Sequence, residues 1–177
     1  MGYTIAICDD DKTMADKLTA SLKNEFMKAG RNDVIIDYYD TGVQLLEALK
    51  NKMYKAVLLD INMEPMDGFA VAEAIGKSGY RTKIIFVTSH EDVVYDTFDY
   101  TPFYFIRKSR YETYVQRVVK KLIAIDGYEK TIVLDDKDGI ININSSDITY
   151  VHSEDHYLTV HTADGNSYVI RKNMMEF

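Results

Sequence analysis

Five short apolar runs, at residues 5–8, 34–36, 56–59, 84–87 and 103–106, alternate with longer stretches of helical spacing. Each run is too short for a helix, and most are rich in β-branched or aromatic residues, which suit a pleated buried surface. The intervening stretches place apolar residues three or four apart: Met14, Leu18, Leu22 and Phe26; Val43, Leu46 and Leu49; Phe69, Ala72 and Ile75; Val94 and Phe98; then Val115, Val118, Val119, Leu122 and Ile123. Strands that are apolar on both faces need cover on both sides. The pattern therefore predicts an α/β domain with a five-stranded, doubly wound parallel sheet, spanning residues 1–126, its last helix ending near Asp126 and Gly127.

Beyond Gly127 the texture changes. Residues 131–134, 140–143, 148–151, 157–161 and 168–170 read as strands, separated by the turn chemistry of Asp138-Gly139, Asn144-Ser145-Ser146-Asp147, Glu154-Asp155 and Asp164-Gly165-Asn166. A second, all-β domain is expected over 127–177. It is small for an independent core, and it stops where residues 172–177 begin a helical pattern, so it is expected to be incomplete.

Composition narrows the classes. Hydrophobic residues at 46% and charged ones at 28% exclude disorder and collagen. No run approaches the roughly 20 apolar residues of a membrane span, and Met1-Gly2-Tyr3-Thr4 lacks the blocks of a signal peptide, so the expected location is cytoplasmic, with no membrane partner. The single cysteine, Cys8, agrees with a reducing compartment and reads as a packed small hydrophobe. A net charge of −7 gives no general affinity for a polyanion.

In an open α/β sheet, ligands bind at the carboxyl ends of the strands. Here those ends deliver Asp9-Asp10-Asp11, Asp60, Thr88-Ser89 and Arg107-Lys108 to one rim. Carboxylates about 4 Å apart repel by several kcal/mol at an effective dielectric of about 20, which calls for a bound cation, and oxygen ligands favour a hard ion such as Mg²⁺. With that charge neutralised, one carboxylate can attack phosphorus while Lys108 and Thr88 donate to phosphoryl oxygens. Asp11 reads as a helix cap, and so would Asp60 if taken alone.

The set Asp9-Asp10, Asp60-Ile61-Asn62-Met63-Glu64-Pro65-Met66-Asp67-Gly68, Thr88-Ser89 and Lys108 resembles a two-component response-regulator receiver over about 126 residues. The resemblance implies a flavodoxin-like fold and phosphorylation of Asp60 by a sensor histidine kinase. It also implies Mg²⁺ held by Asp9, Asp10, Asp60 and the backbone carbonyl of Asn62, with Lys108 pairing the phosphoryl group. Thr88 and Phe105 would form the switch, Thr88 moving inward and Phe105 turning into the space it leaves. Such a chain is no enzyme beyond its own aspartyl phosphorylation and dephosphorylation, and it would dimerise when phosphorylated. Ser109 stands where the family usually has proline, and Pro65 sits one place late, which bears on loop geometry; Asn62 and His90 lie where receivers tune dephosphorylation.

From Thr131 onward, the phrase running from Asp147 through His156 to Gly165 resembles the start of a LytTR-type DNA-binding domain. That resemblance implies transcriptional control through promoter DNA, with His156 in a contacting loop. Yet residues 127–177 carry 4 basic against 9 acidic side chains, a net −5, so phosphate contacts would have to come from elsewhere. The alternative is a phosphorylation-dependent protein-interaction module that does not bind DNA. A phosphatase with an aspartyl-phosphate intermediate is disfavoured because Asn62 stands where its second aspartate is needed. Gly76-Lys77-Ser78 lacks the earlier glycine of a phosphate loop, and residues 135–139 lack the alternation of a calcium loop. His152, His156 and His161 lie on a strand, turn and strand, which does not suit a helical zinc pair.

Overall fold

The computed structural model describes residues 3–78, 81–89, 100–128, 131–136 and 139–171. The chain divides into two compact units, Met1–Lys120 and Lys121–Phe177.

The first unit runs β1 (Tyr3–Cys8), α1 (Lys12–Lys28), β2 (Val34–Tyr39), α2 (Gly42–Leu49), β3 (Ala56–Asp60), α3 (Gly68–Lys77), β4 (Lys83–Thr88), β5 (Tyr104–Arg107) and α4 (Tyr111–Tyr128), which continues past the division between the units. The five strands are parallel in the order β2-β1-β3-β4-β5. This is the doubly wound sheet that the alternating pattern predicts. Strand order reverses between β1 and β3, so their carboxyl ends flank the crevice where such sheets bind ligands.

Burial follows the sequence pattern closely in the centre. β3 is buried along its whole length and β1 almost so. On α1 the residues Met14, Leu18, Leu22 and Phe26 form a buried stripe at spacing four, and Asp11 caps the helix by accepting from the amides of Thr13 and Met14 at 2.9 and 3.1 Å. The same helix ends in a Schellman motif. Gly30 takes φ +79°, Arg31 N–H donates to Phe26 O at 2.9 Å, and Gly30 N–H to Met27 O at 2.9 Å.

Two expectations need correction. β2 lies at the sheet edge and is only half-buried, with Ile35 50% exposed, because nothing pairs with its outer side in this sheet. On α2 Leu46 and Leu49 of the expected row do pack on the core, but Val43 is 51% exposed and the position the pattern omitted, Leu45, is fully buried. The helix expected around Val94 and Phe98 lies outside the described residues, as do His90 and residues 172–177.

The second unit holds β6 (Thr131–Asp136), β7 (Gly139–Asn144), β8 (Ile148–Glu154), β9 (Tyr157–Thr162) and β10 (Ser167–Ile170) in one antiparallel sheet of order β7-β6-β10-β9-β8. One face carries the buried cluster Leu134, Ile143, Leu158, Val160 and Ile170. Asp155 (φ +51°) and Gly165 (φ +86°) turn the β8–β9 and β9–β10 hairpins, as the Asp and Gly at these places predict. The all-β texture after Gly127 is thus real structure.

Candidate functional site

β1 and β3 are neighbours, so the residues that end them emerge side by side. Asp9 directly follows β1 and is 1% exposed; Asp60 ends β3 and is 4% exposed. Asp10 is exposed beside them. One carboxylate oxygen from each of these three residues lies within 4.8 Å of the other two. The cation of this cluster comes from the far end of the domain. Lys108 follows β5, opens a 3-10 turn (Lys108–Arg110), and its Nζ donates to Asp60 Oδ2 at 2.7 Å and to Asp9 Oδ1 at 3.0 Å.

Three carboxylates against one ammonium leave a formal charge of −2 in a largely buried place. Burial pushes the Asp60 carboxyl above the usual carboxylate range, even though hydrogen bonds from Lys108 and from the Ile61 and Asn62 amides pull the other way. Asp9 is likewise raised, by burial and by the charge of Asp60, against the pull of Lys108. For Lys108, burial favours the neutral amine, but its bonds to Asp60 and Asp9 outweigh that and raise it. Asp9 Oδ2 stands 2.9 Å from Lys108 Nζ but is buried without a hydrogen bond of its own. Buried carboxylate oxygens that share a single ammonium, with the exposed Asp10 carboxylate beside them, fit a small divalent cation that keeps part of its water.

The loop after β3 holds Asp60 in place. Its Oδ1 accepts from Ile61 N–H at 2.8 Å, so Asp60 does not cap α3; Asp67 does, accepting from Ala70 N–H at 2.8 Å. Gly68 N–H donates to Ile61 O at 2.8 Å, and a Cβ on Gly68 would lie 2.1 Å from the Asp60 carbonyl oxygen. Only glycine lets α3 start this close to the strand end. Tyr38 OH donates to the Asp9 carbonyl at 3.0 Å. Neither Gly68 nor Tyr38 is assigned a role from sequence; the Asp67-Gly68 pair at a helix start is the available signal for the first, and none exists for the second. The peptide bond Glu64–Pro65 is cis.

Thr88 ends β4 and is 1% exposed, one position beyond Val87, the register partner of Asp60. Phe105 on β5 is half-buried, pairs in register with Phe86, and packs against the core cluster that contains Cys8, Leu59 and Phe86. Asn62 is exposed in the loop after Asp60, and its amide bonds the Asp60 carboxylate. Asp9, Asp10, Asp60 and Lys108 therefore meet at one point, with Thr88 at the end of the strand adjoining β3. His156 is exposed in the β8–β9 turn of the second unit. His161 stacks on Tyr150, ring centroids 4.1 Å apart, and its Nδ1 hydrogen-bonds Ser167 Oγ at 2.8 Å. Among the described residues, the acidic trio is the one metal-competent group, and the histidines form none.

Comparison with known proteins matches residues 5–119 to the family described as Response regulator receiver domain. The Transcriptional regulatory protein YpdB of Escherichia coli (strain K12) is 26% identical over 157 residues, covering 81% of this chain and 64% of YpdB. The chain thus spans less than two thirds of that relative. Among solved structures, the response regulatory domain of protein mrkE from Klebsiella pneumoniae superposes with a TM-score of 0.62 at 22% identity, covering 69% of this chain and 96% of that one. The response regulator protein TrrA from Thermotoga maritima, solved in complex with Mg(2+)-BeF, gives 0.57 at 28% identity, covering 69% and 99%. Among the described residues, no helix is long and apolar enough to cross a membrane.

Proposed function

The chain belongs to the response regulator receiver family, and from that premise we propose that Asp60 accepts a phosphoryl group from a sensor histidine kinase and that the phosphorylated chain controls transcription. The observation that carries this reading is the convergence of Asp9, Asp10 and Asp60 within 4.8 Å of one another, with Lys108 bridging two of them. Asp9, Asp10, Asp60 and the Asn62 carbonyl would hold Mg²⁺. When bound, the ion would neutralise charge on the phosphoryl oxygens.

The protein's own groups do the rest. An ionised Asp60 oxygen forms the new O–P bond as the N–P bond to the kinase histidine breaks, and the departing imidazole takes up a proton. Lys108 already donates to Asp60 and moves with little rearrangement onto a phosphoryl oxygen. The Ile61 and Asn62 amides keep the carboxylate oriented, which removes much of the entropic cost of attack. Thr88 supplies a hydroxyl to a second phosphoryl oxygen, and Phe105 turns inward as Thr88 moves. The chain acts on itself alone, turning over no separate substrate.

The output rests on the second unit. Its resemblance to a LytTR-type domain, with His156 exposed in the β8–β9 turn, supports binding of promoter DNA by a phosphorylated homodimer. The similarity to YpdB, a transcriptional regulatory protein, extends past the receiver segment and supports the same output. The charge of −5 over residues 127–177 favours a second reading, docking of a protein partner in place of DNA.

Acetyl phosphate with Mg²⁺ is expected to add one acid-stable, base-labile phosphoryl group, seen by intact mass, in the wild type and none in Asp60→Asn. Equal modification of the variant would sink the assignment. Titrating duplex DNA at two salt concentrations tests the output: affinity that falls steeply with salt supports DNA and counts against protein docking.

A further inference from the structure

Phe86 and Phe105 are register partners on β4 and β5, and Thr88, two residues beyond Phe86, emerges on the same face of the sheet as both. A third ring shares this corner. Tyr100, just before β5, stacks on Phe69 of α3 with centroids 5.2 Å apart and planes at 22°, and meets Phe86 edge-on at 6.3 Å and 74°. Phe69 also tilts onto Phe86 at 5.6 Å. Tyr100 and Phe105 pack against the same buried cluster.

The backbone beside that stack is strained. Thr101 has φ +45°, the left-handed region that a β-branched residue seldom enters unless its surroundings over-determine it. The other side of the stack is tied to the acidic site. Phe69 follows Gly68, whose amide bonds Ile61 O, so the segment that holds Asp60 also sets where Phe69 stands.

We propose that Tyr100 is a positioning residue of the switch: its stack on Phe69 and Phe86 holds Phe105 in its half-buried place, and the strained Thr101 keeps that hold weak enough to release. This rests on the reading of Asp60 as phosphoacceptor. When the site is loaded, movement of the Asp60 loop shifts Phe69, the stack opens, Thr101 relaxes, and Phe105 gains room to turn toward Thr88. The two residues act in opposite senses. Tyr100 favours the held form, whereas the conformational cost at Thr101 opposes it.

Calorimetric titration of the chain with beryllofluoride plus Mg²⁺, and with Mg²⁺ alone, tests this with three substitutions. Thr101→Gly removes the strain, deepens the hold and weakens beryllofluoride binding by about 5- to 30-fold. Tyr100→Leu removes the stack and tightens it, up to the limit set by the held fraction. Tyr100→Phe keeps the ring and matches the wild type. Affinity for Mg²⁺ alone stays unchanged throughout. Shifts of the same sign in Thr101→Gly and Tyr100→Leu, or equal shifts with Mg²⁺ alone, would mean a structural role and overturn the proposal. Thr101 is exposed, so Thr101→Gly remains decisive even if Tyr100→Leu fails to fold. A wild type that takes no beryllofluoride overturns the receiver reading and this inference with it. Normal wild-type binding with no change in the variants overturns this inference alone.

Discussion

Two lysine–aspartate clusters among the described residues of the first unit differ in fate. In one, Lys52 and Tyr54 OH both donate to Asp37 on β2, and Tyr54 OH is 2.5 Å from Tyr39 OH. One carboxylate meets one ammonium and one hydroxyl, and Tyr39 OH bonds that hydroxyl from behind. Burial alone would raise Asp37, but the bonds from Lys52 and Tyr54 win and hold it below the usual carboxylate range, while burial and the hydrogen bonds with Asp37 and Tyr39 push Tyr54 far above a normal phenol. In the other, Lys108 faces three carboxylates, Asp9 and Asp60 are both raised, and Asp9 Oδ2 lacks a hydrogen bond. Both networks use the same residue types. What separates the two clusters is the unbalanced charge of the second, which points to a ligand that completes it.

Gly68→Ala places a Cβ 2.1 Å from the Asp60 backbone oxygen, a contact that no side-chain rotation relieves. Denaturant unfolding is expected to show a loss of about 2–3 kcal/mol. An unchanged midpoint would mean that α3 can back away from β3.

Mg²⁺ should stabilise the unbalanced cluster and not the balanced one. At tenfold excess over its dissociation constant, the gain is about 1.4 kcal/mol. It should vanish in Asp9→Asn and persist in Asp37→Asn; a gain that survives in Asp9→Asn would place the ion elsewhere.

Asp37→Asn should itself cost about 1 kcal/mol, a charge-assisted bond discounted for the 40% exposure of Lys52. It should leave acetyl phosphate modification of Asp60 untouched. The pH dependence gives the smallest signal. Because the folded Asp37 value lies below its unfolded one, its contribution is present above the unfolded value and disappears as pH falls through the folded value. Between neutral pH and pH below about 4, the wild type should therefore lose slightly more stability than Asp37→Asn. Parallel curves would show that Asp37 adds nothing through its charge.

Much of this was legible in the sequence because the determinants are local. The five apolar runs marked the parallel strands, and Asp11 marked the start of α1. The acidic residues and Lys108 could be assigned to one rim because strand order alone gathers strand ends. What could not be read depends on tertiary approach. Gly68 needs the distance to the Asp60 carbonyl, and Tyr100 needs the position of Phe69. The exposure of Val43 on α2, like that of β2 at the sheet edge, is not recorded by the spacing of apolar residues.

Cys8 sits beneath this site, 0% exposed, its Sγ 3.7 Å from Met63 Sδ, with burial and then the charges of Asp9 and its acidic neighbours pushing the thiol up to about 12. As the single cysteine of the chain, it is inert to alkylating reagents while β1 stays packed, so any labelling counts openings of the central sheet. The protein thus carries a built-in clock for local unfolding next to the acidic cluster, and its rate can be followed by alkylation without introducing a cysteine.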